Sequence, residues 1–188
     1  DALPISSQPM RLLALAIVLG ALSPISFITG TDADAAADIQ VYYAPEDRPL
    51  DRLLQLYGKA KRSIYVSVYG MTAPSMVKAL IEAKKRGVDV RVITDSGRLD
   101  EPKQKTALRT LRLAGVPVKI NRHEGLMHLK QVVIDEDINA SGSMNHTTSG
   151  NRYNDERLDV ITDARVTARA RQKFLSMWTD AARYSDWK

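Results

Sequence analysis

The stretch His128-Leu-Lys130-Gln-Val-Val-Ile-Asp135-Glu-Asp-Ile-Asn-Ala-Ser-Gly142-Ser143-Met-Asn145 decides how the rest of this chain is read. Leu129, Val132, Val133 and Ile134 are strand formers, and the turn-prone acids Asp135, Glu136 and Asp137 stop the run. Side chains alternate along a strand, so His128 and Lys130 share a face while Asp135 turns away. With Glu136 and Asp137 as the two loop residues of a hairpin, Asp135 pairs with Ile138, Lys130 with Ser143 and His128 with Asn145. Four polar groups then converge on one patch. The imidazole can attack or donate a proton, and the ammonium, hydroxyl and carboxamide can donate hydrogen bonds to anionic oxygens. Such a set suits a phosphodiester, whose displacement needs charge stabilised on the phosphoryl oxygens and an in-line attacking group. The competing interpretation is a histidine and a lysine exposed on an ordinary hairpin, which is what an isolated His-x-Lys triplet usually is.

Here the triplet is not isolated. His-x-Lys, four residues, Asp, six residues and Gly-Ser-x-Asn follow one another, and this order resembles the HKD signature of the phospholipase D superfamily at every position. Supporting matches are Tyr43-Ala-Pro45, Ala73-Pro74, Lys78-Ala-Leu and Lys84-Lys-Arg-Gly-Val-Asp-Val90, and Glu156 stands where that family keeps an acid beside its nucleophilic histidine. The resemblance runs from about Ile39 to Trp187 and is strongest to the small, bacterial, single-HKD secreted nucleases.

Roles follow from this resemblance. His128 would be the nucleophile in one subunit and the general acid in another, because one imidazole cannot be both unprotonated nucleophile and protonated acid in one step. Lys130 and Asn145 would hold the phosphoryl oxygens, with Ser143 assisting by hydrogen bonding. Glu156 would orient and polarise the His128 ring, as a carboxylate does in hydrolase triads; an ordinary exposed acid in the run Asp155-Glu-Arg157 is the alternative. Asp135, on the opposite face, is expected to be structural and to fix the turn. His123 and His146 are expected to be structural or peripheral, and the family often carries an aromatic residue where His146 stands. With three histidines and no second His-x-Lys, the missing half must come from another copy, so a twofold homodimer is expected.

Outside the motif, the chain alternates strand and helix patterns. Strands are expected at Ile39 to Tyr43, Ser63 to Tyr69, Val88 to Thr94 and Val116 to Ile120. Helices should run from Pro49 to Ala60, from Pro74 to Gly87 and from Lys103 to Ala114. That order predicts an α/β fold of phospholipase D type. Its sheet should be mixed but mostly parallel, flanked by helices on both faces, with the HKD hairpin added after it at the active site. Arg157 to Thr162 adds a strand, and Ala164 to Ala182 a last helix burying Val166, Phe174, Leu175 and Trp178. Tyr42, Tyr43 and Tyr69 are expected in the core, and Tyr153 in a loop near the site.

Met10-Arg11, the apolar run Leu12 to Leu22, Pro24 and the small residues ending Ala33-Asp-Ala35 have the three parts of a secretory signal peptide. The expected organisation is therefore a non-native leader (1–9), a signal peptide (10–35) and one catalytic domain (36–188), periplasmic or secreted and without stable membrane insertion after cleavage. Removing Arg11 with Asp1, Asp32 and Asp34 takes the formal charge from +5 to +7, which suits an anionic polymer or lipid surface. The absence of cysteine excludes disulfides, thiolate catalysis and thiolate-bound metal. No metal or other cofactor is expected, since a symmetry-related pair of Lys130 ammoniums can supply the positive charge. The substrate expected first is DNA or RNA, read through its phosphate rather than its bases. A phospholipid headgroup is second, and a catalytically idle nucleic-acid-binding module third.

Overall fold

The computed structural model describes residues 36–188; the leader and signal-peptide expectations fall outside these residues. Strand β1 (Asp38–Ala44) is followed by α1 (Pro49–Lys59), β2 (Ser63–Val68), α2 (Pro74–Lys85), β3 (Asp89–Thr94) and α3 (Pro102–Leu113). Then come β4 (Val118–Asn121), β5 (Lys130–Ile134), β6 (Ile138–Gly142), α4 (Thr148–Arg152), β7 (Glu156–Thr162), α5 (Ala164–Thr179) and β8 (Tyr184–Asp186). Helices α1, α2 and α3 each open on a proline, whose fixed φ suits the first turn and whose missing N–H is no loss there. Helix α5 instead uses the Asp163 carboxylate, which accepts from the backbone N–H groups of Arg165 and Val166.

The eight strands form one sheet in the order β1-β7-β6-β5-β2-β3-β4-β8. Every residue of β2 is buried, because both faces of the sheet are covered there. Ile64, Val66 and Val68 pack beneath α1, α2 and α3 with Leu53, Leu80 and Leu108. Tyr65 faces the other way and stacks on Phe174 of α5, centroids 4.8 Å apart. Helices on both faces of one mixed sheet are thus as expected.

The strand directions differ from expectation. Of the seven described pairings, β2–β3 and β3–β4 are parallel and the other five antiparallel. Strand β1 does not join the parallel run: it crosses to the far edge and lies antiparallel to β7. Nor is the hairpin an appendage, since β5 pairs with β2 in the middle of the sheet. The hairpin register is also one residue away from the two-residue-loop reading: Ile134 faces Ile138 and Gln131 faces Ser141. Asp135 is therefore a loop residue, with φ 58°, and Glu136 follows at φ 114°. The cause is the start of β2: the Asp135 carboxylate accepts backbone N–H bonds from Lys61, Arg62 and Ser63 and its own N–H donates to the Ser63 carbonyl, which holds Asp135 there rather than opposite Ile138.

Smaller corrections concern single residues. Along α5 the buried line is Thr167, Ala170, Phe174 and Met177, which leaves Val166 40% exposed. Tyr43 is 52% exposed at the sheet edge. Among the described residues no helix is long and apolar enough to cross a membrane.

Candidate active site

The candidate patch forms where β2 and β3 end and β5 begins. The N–H of Tyr69 donates to the Leu129 carbonyl at 3.0 Å, extending the β2–β5 ladder and fixing His128 beside Tyr69 and Gly70. Buried Asp95, just past β3, accepts from the Met127 N–H at 2.6 Å and so pins the loop that leads into His128. His128 itself is exposed. Its ring lies 4.9 Å from that of Tyr69, and its Nε2 is 3.2 Å from Lys130 Nζ. An ammonium only donates, so in this contact Nε2 is the acceptor. Lys130 Nζ also donates to the His128 carbonyl at 2.9 Å. Burial lowers the Lys130 pKa, with the Glu156 charge opposing and the Arg98 charge adding to the shift.

Asn145 joins this patch through its backbone neighbours. Its Oδ1 accepts from the Gly70 N–H at 2.9 Å, which leaves the side-chain NH2 available as a donor. Next to it His146 is buried; its backbone N–H donates to the Gly70 carbonyl and its carbonyl accepts from Thr72 and Ala73. The His146 Nε2 lies 2.9 Å from the Tyr57 hydroxyl, and its Nδ1 is buried with no partner among the described residues. Burial depresses its pKa from 6.5 to about 4, so this imidazole is neutral at pH 7 and structural.

Ser143 and Glu156 form a pair of their own. The Ser143 hydroxyl donates to a Glu156 carboxylate oxygen and accepts from the Arg157 N–H, so it works on the carboxylate. Glu156 also takes the Asn154 amide at 3.3 Å, and among the described residues it forms no hydrogen bond to the His128 ring. Gly142 makes this pairing possible: a Cβ there would stand 2.0 Å from the Arg157 carbonyl oxygen, so any larger residue would push β7 away. Asp135 lies at the far end of β5, outside the patch. Burial pushes its carboxyl up, but the N–H groups of Ser63, Lys61 and Arg62 together with the Arg62 charge leave it lowered. His123 is peripheral, set edge-on to Tyr184.

Two residues of the patch are absent from the motif. Tyr69 presents its ring to His128, to Lys130 Nζ at 5.4 Å and to the Arg98 guanidinium at 5.0 Å. Both Tyr69 and Arg98 follow the carboxyl ends of parallel strands, where the crevice of an open α/β sheet lies, and that position is the signal that would have found them. Among the described residues no group of three or more His, Cys, Asp or Glu is arranged to hold a metal ion.

The sequence matches the family described as "Cardiolipin synthase, PLD-like domain" over residues 53–178. The chain belongs to the phospholipase D superfamily. Among curated relatives, the mitochondrial cardiolipin hydrolase of Xenopus tropicalis is 36% identical over 135 residues, 71% of this chain and 63% of its own length. A phospholipase D of Rickettsia bellii is 35% identical over 117 residues, 62% of this chain and 57% of its own length. The chain thus spans about 60% of these relatives. In solved structures, the phospholipase D family member Nuc of Salmonella typhimurium superposes with a TM-score of 0.74 at 28% identity, covering 81% of this chain and 99% of Nuc. NucT from Helicobacter pylori, at 21% identity and a TM-score of 0.70, covers 76% of this chain and 96% of its own and shares the fold. The match to Nuc covers 81% of this chain, so the mixed architecture described above is that of the superfamily.

Proposed function

We propose that this chain is a metal-independent phosphodiesterase that hydrolyses DNA or RNA with little base preference, through a phosphohistidine formed where two copies meet. The observation that carries the reading is the exposed His128 imidazole 3.2 Å from the Lys130 ammonium, with the Asn145 carboxamide held on Gly70, next to the Tyr69 ring that faces His128. In the first step the His128 ring nitrogen attacks phosphorus, the P–O bond to the leaving alcohol breaks, and the second copy's His128 donates a proton to the leaving oxygen. In the second, that imidazole takes a proton from water as the water oxygen attacks phosphorus, the P–N bond breaks, and a phosphate monoester leaves. Lys130 and the Asn145 amide hold the phosphoryl oxygens throughout, stabilising charge as it builds. Ser143 holds Glu156, whose charge favours the ammonium form of Lys130. An exported protein, processed after Ala35 or Ala37, fits the apolar run near the start of the chain; N-terminal sequencing of the protein recovered from the periplasm or medium checks it.

The apolar side chains of Val77, Ile81 and Ala107 in the lining of a groove that Asn145 also lines favour a second reading in which a phosphatidyl headgroup is cleaved. Purified protein and His128→Ala, each given plasmid, single-stranded DNA, RNA and cardiolipin vesicles in excess EDTA, decide between them. Cleavage of nucleic acid by the wild type alone is expected. Lipid hydrolysis without nucleic-acid cleavage would replace the first reading by the second. Mass photometry should find a dimer, and a fully active monomer overturns the shared site.

A further inference from the structure

A groove of about 1300 Å³ lies between α2 and α3, with Asn145 and Arg98 in its lining and His128 and Lys130 outside it. Arg98 therefore stands where the patch gives way to the groove. Its guanidinium covers the Tyr69 ring at 5.0 Å and pairs with Glu101. It occupies the space left by the missing side chain of Gly70, where a Cβ would meet Arg98 Nη1 at 2.8 Å and Asn145 Cγ at 3.5 Å. Its Nε is buried without a partner among the described residues. The side chain is only 18% exposed, yet none of the roles assigned so far uses it.

We propose that Arg98 binds the phosphate next to the scissile one on a polynucleotide, and that the strand continues along the α2–α3 groove. This rests on the nuclease reading of the same site. A guanidinium is a flat fork of donors that matches phosphate oxygens two at a time. Tyr69 holds one face of the fork, and Lys130 Nζ lies on the same ring at 5.4 Å, so two cations are set side by side for two anions. Burial lowers the Lys130 pKa and the Arg98 charge lowers it further, a repulsion that is relieved when phosphates arrive. Glu101 holds the Arg98 guanidinium until a phosphate takes its place, and Glu82 is paired with Lys85. Lys103 lines the groove with no ion pair among the described residues. The groove holds no aromatic side chain among its lining residues and so has nothing on which bases could stack. Such a track reads phosphate and ignores sequence.

The test compares two diesters that the scissile site treats alike. Bis(p-nitrophenyl) phosphate carries a single phosphate, whereas an oligonucleotide brings its neighbours. For Arg98→Gln the ratio of kcat/KM on oligonucleotide to kcat/KM on the small diester should fall roughly tenfold or more, through KM, as for any lost phosphate contact. The slope of log KM against log salt should become shallower by about one. Lys103→Ala, on the groove rim, should lower the same ratio less and guards against a folding defect in the Arg98 variant. Equal loss on both substrates, or no change in either, overturns the assignment of Arg98. Wild-type protein that hydrolyses the small diester but no oligonucleotide overturns the nuclease reading, and the flanking-phosphate role with it.

Discussion

His128 and His146 carry the same side chain and lie on opposite sides of a water boundary. The first is exposed, with its Nε2 facing an ammonium; the second is buried against Tyr57, its pKa pushed down to about 4. Both stand beside Gly70, one through the β2–β5 ladder and the other through its own backbone N–H. Burial separates the proposed reagent from the scaffold. An imidazole in water can take and give protons near neutrality, whereas one sealed in the core can serve only as a shaped, neutral hydrogen-bonding plug.

The comparison breaks most sharply at His128. Replacing it by alanine should lower kcat on nucleic acid by on the order of 10⁴-fold with no change in circular dichroism; cleavage near the wild-type rate would return His128 to an ordinary surface residue. For His146 the test is pH. Its folded-state value of about 4 lies below the unfolded 6.5, so the unfolded chain binds the extra proton. The stability this group contributes is complete above pH 6.5, falls between 6.5 and about 4, and amounts to on the order of 3 kcal/mol. Urea titrations of wild type at about pH 7 and pH 4 should show that loss. The double variant Tyr57→Phe with His146→Phe, which removes both members of the hydrogen bond, should show a much flatter profile.

The two ends of the hairpin sharpen the contrast further. Asp135→Ala removes the acceptor for three backbone N–H groups and should reduce stability by roughly 2 kcal/mol. Because it lies away from the patch, kcat at low temperature should change little, and a large kinetic defect would tie the turn to the chemistry. Ser143→Ala should have the smallest effect, about tenfold in kcat/KM, since Glu156 keeps the Asn154 amide and loses only one neutral donor. A loss as large as that of His128→Ala would put the Ser143 hydroxyl on the substrate itself.

The boundaries of α1, α2 and α3 were legible to within a residue or two because Pro49, Pro74 and the left-handed Gly87 and Gly115 mark them locally, whereas the short α4 was not read and α5 ends at Thr179 rather than Ala182. The alternation that sets His128 beside Lys130 was legible too, but the hairpin register was one residue out. That error arose from a partner more than 70 residues away: nothing near Asp135 announces that Lys61, Arg62 and Ser63 will claim its carboxylate. The direction of the sheet failed for the same reason. β-α-β alternation suggests a parallel neighbour for β1, but the choice of β7 depends on a strand at the other end of the domain. Tyr69 reads as core because it continues a buried strand, and its place at the patch follows from the strand ending at Val68. Arg98 is marked only by following the carboxyl end of β3, and its exact place depends on the absence of a side chain at Gly70.

Strand β5 is hydrogen-bonded on both sides, to β2 and to β6, and both neighbours are themselves paired again. In hydrogen-exchange terms, the amides of Val132 and Val133 should open only with the whole domain, while those of Glu124 to Leu126, in the exposed loop before His128, should exchange through small local openings. The proposed nucleophile, His128, stands where these two regimes meet. Its lysine rides on the slowest-opening strand, and the loop beside it can yield to a substrate without the sheet letting go.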